Sequence, residues 1–569
     1  MANGMGSLYI GASGLQNSQN ALNTTANNLA NVETTGYVRQ QVLFADRNYN
    51  TFDVTAAISK QQAGLGVNIA DVVHTRDYFL DKYYRTEKGR QAFYDATNEA
   101  VQEVITSFQE LDGEAFQEIM NGDDSFWTAI QEFAKIPDDT VNQNLVIQKA
   151  TLFIERSQGI YDNMKSYQSQ INLKISDAID RINELGRTIQ KLNTQIQKVE
   201  AGNVETAMTL RDERDNALDE LSQYAEITFD ETSDGIVRVK LEGVRFIDEV
   251  HVFEMGQKTD RLTGFITPTW PHLSDESLGQ YTEVFDYSVD ISSEMNTDIG
   301  SLKALVLARG DRIANYTDVA GLTADQYNDG AGMSVMLSAE AEFDQLVHGI
   351  ITAINDVLSP LTTASFTGAD GTVYDNVKVW DEEKGCVGND GQKPGRELFV
   401  RRGMDRYTEV TADDGTVYYV YNEEDTTDTS KMYTTYGVSI NQDLLESESN
   451  LPYLRQNGEV AQTMAEELAA VWEKKGLILN PNDTDPCTFE GYYEKFMNGL
   501  ATKGNVYESV AQSLSGSVSS IENQRQQVIG VSSDEELTNM IKYQNAYNAA
   551  SRYINVISEM LEHIITQLG

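Results

Sequence analysis

Residues 5–32 read MGSLYIGASGLQNSQNALNTTANNLANV. Leu8, Leu15, Leu22 and Leu29 recur at the seven-residue period of a coiled coil, and Gly11, Ala12, Ser18, Thr25 and Ala26 lie between them, small enough to let another helix come close. Asn, Ser and Gly are poor helix formers, so this segment needs a partner to fold. A matching face stands at the other end of the chain. Within Ser533–Leu568, one heptad series is Met540, Tyr547, Ile554, Leu561 and Leu568; the second is Tyr543, Ala550, Ile557 and Ile564. The two make an a/d seam on a helix of about 50 Å. SSDEE at 532–536 supplies an N-cap serine, first-turn acids and, with Ser533 as the cap, Glu536 as a capping-box partner. Two ordinary core helices of a bundle would show the same heptads. The distance between these two in sequence, and the polarity of the first, favour a helix pair formed in an assembly.

Outward from the ends, composition sets further bounds. The chain has 569 residues, with 88 acids against 43 bases and a net charge of -45. That length implies several domains or one elongated body. Such acidity argues against nucleic acid or an anionic membrane as partner. No run of apolar residues is long enough for a transmembrane helix, and the N-terminus lacks the basic and apolar regions of a signal peptide. Cys386 and Cys487 are too few for a disulfide framework; they read as two buried thiols, though pairing stays open. All eight prolines lie between Pro137 and Pro486, and residues 1–40 carry one acid and one base. The excess acid therefore sits in the middle of the chain.

Between the ends the periodicity changes several times. Residues 37–76 read as extended, with a turn at Gly64–Gly66. Helical periodicity runs from about Asp77 to Tyr224, clearest in Ile171, Ile175, Ile182, Leu185, Ile189, Leu192, Ile196 and Val199. A second helix is LRDERDNALDEL at 210–221. Alternation around Asp234-Gly235 marks a hairpin. Helices are predicted near 300–315, 333–358, 455–475 and 489–529. The near-repeats ADGTVY (369–374) and DDGTVY (413–418) mark a β-rich insertion over 361–450. The expected fold is mostly α with β-rich insertions, elongated and multidomain. Its parts are a terminal coiled-coil domain (1–40 with 530–569), a helical-bundle domain (41–225, 291–360 and 451–529), a small β-rich region (226–290) and the outer insertion (361–450).

Signatures of catalysis are lacking: there is no HExxH, G-x-S-x-G, P-loop or G-x-G-x-x-G. His74, His251, His272, His348 and His563 are scattered without metal-ligand spacing, so no catalytic residue, cofactor or metal site is assigned. The Asp370-Gly371 and Asp414-Gly415 sites read as hairpin turns rather than calcium loops. Asp381-Glu382-Glu383 and Glu423-Glu424-Asp425 read as solvated loops. A pair of glycosidase carboxylates in 361–450 is the opposing possibility, and raised carboxylate pKa values around a cleft there would support it.

The motifs then become specific. ALNTTANNLANVETTGY at 21–37 closely resembles the N-terminal motif of the bacterial flagellar axial family, which comprises rod, hook and hook-associated proteins. Asn27, Asn28, Asn31, Gly36, Tyr37, Arg39 and Gln40 carry it, and the GYVRQ ending resembles the hook-associated branch more than the rod or hook proteins. GVSSDEELTNMIKYQNAYNAASRYINVISEMLEHII at 530–565, LRDERDNALDEL at 210–221, GLGVNIADVVHTRDYFLDKYYR at 64–85 and IGSLKALVLARGD at 299–311 are similar to segments of that branch.

The resemblance implies a non-enzymatic structural protein at the hook–filament junction. It implies a homo-oligomeric ring of about eleven subunits, with the hook protein on one side and hook-associated protein 3 and flagellin on the other. Flagellar type III export, with a chaperone on the C-terminal helices, and an extracellular location are implied as well. The leucine series would pack on the 540–568 seam as an inner tube, with Gly11, Ala12 and Ala26 giving tight packing, and ANNLANVETTGY would turn the chain into the next layer. Two alternatives are a hook or distal rod protein of the same family, and an exported protein with a hydrolase or adhesin module in 361–450.

Overall fold

The computed structural model describes residues 2–34, 36–46, 50–51, 62–63, 66–74, 76–108, 115–202 and 206–568. The turn expected at Gly64–Gly66 falls largely outside them. Helix α1 (Ala2–Ala30) opens the chain and is followed by a ribbon in which β1 (Gln40–Asp46) pairs antiparallel with β4 (Val67–His74). A short pair, β2 (Asn50–Thr51) with β3 (Gln62–Ala63), lies between them in sequence. Helices α2 (Tyr78–Phe108), α3 (Phe116–Asn121) and α4 (Phe126–Lys135) lead to α5 (Thr140–Glu200), which has 61 residues and so spans about 90 Å. The Asp139 carboxylate caps α5 by accepting from the Val141 amide at 2.9 Å. The isoleucine series expected from the sequence is buried from Ile171 to Ile196; Val199, at its end, is exposed.

Helix α6 (Met208–Leu221) turns back along α5, and a first β lobe follows. It contains the sheet β5 (Ile227–Glu231), β6 (Val237–Leu241) and β7 (Val244–Ile247), then the hairpin β8 (Gly256–Thr259) with β9 (Ile266–Thr269). Three asparagines of α5 hold this lobe. Asn193 Nδ2 donates to the Val237 carbonyl at 2.8 Å while its Oδ1 accepts from the Val237 amide at 3.1 Å. Asn183 does the same with Met255 at 2.9 and 2.8 Å, and Asn172 with the Gly264 carbonyl and Ile266 amide at 3.1 and 2.8 Å. Each carboxamide takes the place of a neighbouring strand, satisfying backbone groups that burial would otherwise orphan.

Helices α7 (Ser301–Arg309), α8 (Ala324–Asn328) and α9 (Val335–Leu358) come next; α7 stops at Arg309, short of the 315 read from the sequence. The insertion then folds on α9. Its main sheet runs β10 (Leu361–Thr367), β11 (Val373–Trp380), β14 (Val417–Tyr421) and β13 (Tyr407–Thr411); β12 (Phe399–Arg401) pairs with β15 (Val438–Ile440). The two near-repeats occupy equivalent hairpins joined at their tips, with the Ala369 amide on the Thr411 carbonyl and the Asp413 amide on the Thr367 carbonyl, both at 2.9 Å. Tyr374 and Tyr418 stack on Phe366, with ring centres 4.8 and 4.1 Å apart. Helices α10 (Gln442–Glu446), α11 (Gln462–Ala470), α12 (Phe489–Ile529) and α13 (Ser533–Leu568) complete the chain. α12 lies along α2, and α13 along α1. Both cysteines are buried and free.

Glu424 corrects the expectation of a solvated acidic loop. Its carboxylate accepts from Tyr316 at 2.8 Å and from the Tyr433 amide at 2.7 Å, and pairs with His348 at 3.0 Å. Partners 76 and 108 residues away in sequence make a half-buried, fully engaged site of it. Asp381 and Asp425 behave as expected, each accepting from backbone amides of its own turn.

Candidate functional site

The motif residues converge where the two ends of the chain meet the body. α1 presents Gly11, Ser13, Asn17, Ser18, Ala21, Thr25 and Asn28 as its buried line. Leu8, Leu15, Leu22 and Leu29 flank it, each half-buried, whereas Ala12 and Ala26 are exposed and so do not supply tight packing within this chain. A Cβ on Gly11 would stand 2.6 Å from Ile554 Cγ1, so the approach of α13 depends on that glycine. On α13, Met540, Tyr543, Tyr547, Ala550, Ile554, Ile557 and Leu561 are half-buried; Ile564 is exposed, and the Leu568 side chain lies outside the described residues.

Below this pair the chain turns. Asn31 ends α1, its Nδ2 donating to the Asn27 carbonyl at 2.9 Å, and Asn27 Nδ2 reaches the Tyr37 hydroxyl at 3.3 Å. Asn28 is 1% exposed and fully committed: Oδ1 accepts from the Tyr37 hydroxyl at 2.9 Å and the Gln40 amide at 3.1 Å, while Nδ2 donates to the Gln40 carbonyl at 2.9 Å and Glu536 at 3.2 Å. Arg39 binds the same Glu536 carboxylate through Nε at 2.9 Å and Nη2 at 2.8 Å, and Glu535 at 3.1 Å. Its amide donates to the Ile529 carbonyl at 2.9 Å. Glu536 is therefore not the capping-box residue expected from SSDEE. A buried carboxylate needs a cation, and Arg39 supplies it.

Gly36 meets two demands at once. Its φ is +77°, and an added Cβ would lie 2.2 Å from the Asn216 side chain. Asn216 belongs to α6, the LRDERDNALDEL helix. The next contact is also on α6, where Asp212 accepts from the Val38 amide at 3.2 Å. Burial pushes the Asp212 carboxyl up to about 7, against that hydrogen bond and the nearby Arg76. Burial beside Asp212 and Glu536 pushes the Tyr37 hydroxyl up to about 12.

A lattice of three arginines and three aspartates then ties α2, α6 and α12 together. Arg85 pairs with Asp215 at 3.1 Å and Asp219 at 2.6 Å; Arg525 pairs with Asp81 and Asp219, both at 2.8 Å; Arg76 pairs with Asp81 and Asp215. A cavity of about 660 Å³ opens beside it, lined among others by Asn31, Gly36, Tyr37, Asn216 and Arg525. The sequence pointed to the Asn28–Gln40 motif and to the 210–221 helix separately. Their contact, and the lattice, needed the fold. Among the described residues no group of His, Cys, Asp and Glu could hold a metal ion, and no helix is long and apolar enough to cross a membrane. Glu340, Glu342, Asp344 and Glu397, whose carboxyls burial raises, are sealed in the body rather than arrayed around a cleft.

This geometry accompanies a consistent set of similarities. The family model described as flagellar hook-associated protein FlgK helical domain matches residues 105–365. The flagella basal body rod protein model matches 8–37, and the flagellar basal body rod FlgEFG protein C-terminal model matches 519–568. Flagellar hook-associated protein 1 of Bacillus subtilis is 23% identical over 97% of this chain and 96% of its own length. That of Salmonella typhimurium is 22% identical over 97% and 98%. The hook protein FlgE of Treponema pallidum is 40% identical, but over only 13% of this chain and 18% of its own. Among solved structures, the flagellar hook junction protein FlgK from Burkholderia pseudomallei superposes with a TM-score of 0.51 at 12% identity, covering 79% of this chain and all of that one.

Proposed function

We infer the function of this chain from the family to which it belongs, that of the flagellar hook-associated protein FlgK: it is a structural component of the bacterial flagellum, placed where the hook meets the filament, and not an enzyme. The observation that carries the mechanism is the joint. Asn28 and Glu536, 508 residues apart, are bonded to each other, and Arg39 of the N-terminal segment also holds Glu536, so neither end can take its place without the other. Around that joint we assign a terminal coiled-coil domain (1–40 with 530–569), a helical-bundle domain (41–225, 291–360 and 451–529) and two outward β regions (226–290 and 361–450). The terminal pair would line the axial structure, its Leu8, Leu15, Leu22 and Leu29 series facing the 540–568 seam. The apolar residues that α13 leaves exposed, Ile541, Val556, Met560 and Ile565, would be covered by neighbours.

In this reading the chain is exported by the flagellar type III system, guarded until then by a chaperone on its C-terminal helices. It then forms a ring of about eleven subunits between the hook protein and hook-associated protein 3. Deleting its gene in the host should leave hooks without filaments and flagellin monomers in the medium. A chain lacking residues 540–569 should be a folded, soluble body that cannot restore filaments. Filament growth supported by that truncated chain would refute the terminal-seam mechanism.

A further inference from the structure

We draw no further inference here: the strongest candidate, the cavity of about 660 Å³ between the Gly36 turn and helices α6 and α12, belongs to the joint already described, its arginines Arg76 and Arg525 being already paired in the aspartate lattice.

Discussion

Two β regions are docked on two long helices of this protein, by different mixtures of carboxamide and charge. The 226–290 lobe lies on α5 through neutral carboxamides, Asn172, Asn183 and Asn193. The 361–450 insertion lies on α9 through one such carboxamide, Asn355, which clamps Leu398 and Phe399, and otherwise through charges. Asp344 accepts from the Thr435 amide at 2.6 Å and its hydroxyl at 2.7 Å, Glu424 pairs with His348 at 3.0 Å, and Arg406 reaches Asp356 at 2.6 Å and the buried Glu397 at 3.7 Å. Both solve the same problem, satisfying strand backbone against a helix. An amide does so without a net charge to desolvate; a buried carboxylate or guanidinium brings a desolvation cost that only well-placed partners offset. The insertion should therefore respond steeply to lost partners and to pH, and the first lobe should not.

The largest expected effect is at Arg406. Truncation in Arg406→Ala takes from the buried Glu397 the cation with the largest effect on it, leaving Arg401 as the other, and removes the bonds to Asp356 and the Tyr433 hydroxyl. A loss of about 3–5 kcal/mol is expected, measured by denaturant unfolding. A loss below 1 kcal/mol would mean that the charged attachment matters no more than a surface pair. On the other side of the comparison, Asn183→Ala orphans both the amide and the carbonyl of Met255 and should cost about 2–3 kcal/mol at every pH. A strong pH dependence of that cost would break the distinction.

How much of this was legible in the sequence follows the same division. Local features were readable: the helices at both ends, the Asp234-Gly235 hairpin, the near-repeat turns and the long helix through Ile196 all follow from period and turn chemistry. Asn172, Asn183 and Asn193 look in sequence like any polar residues of a long helix, since the strands they hold lie 44 to 94 residues further on. Glu424 and Glu536 were misread for one reason. A carboxylate in an acidic run looks solvated, or looks like a cap, until a distant His348 or Arg39 encloses it. The joint was half-visible, as two motifs whose contact through Gly36 and Asn216 only the folded chain reveals.

The pH arm of the comparison is next in size. Glu340 is on α9, accepts from the Ala314 amide at 2.9 Å, and burial pushes its carboxyl up to about 8; burial also raises Asp344. With the folded pKa above the unfolded one, the native state holds the extra proton between the ordinary carboxylate range and pH 8. Stability must then fall as pH rises through that window, by up to about 1.4 kcal/mol per pH unit for one such group, and level off above it. Glu340→Gln keeps the shape without the charge, so it should match wild type near pH 5 and exceed it at pH 8. Amide exchange would localise the effect. Protection at Ala314 and Thr435 should weaken toward pH 8 after correction for intrinsic exchange, while protection at Val237 and Met255 should not.

The smallest effect tests the tips of the 361–450 insertion. Gly371 and Gly415 stand at φ +81° and +86° in the twin hairpins, and a Cβ on either would meet no atom within 4 Å. Gly371→Ala and Gly415→Ala should each cost about 1 kcal/mol, from backbone strain alone. The turn residues Asp370–Thr372 and Asp414–Thr416 carry no apolar side chain, so neither substitution should alter filament formation, even in the double variant. Should the glycine variants impair assembly at unchanged stability, the tips of 361–450 would be contact surfaces, and their reading as solvent-facing turns would have to be given up.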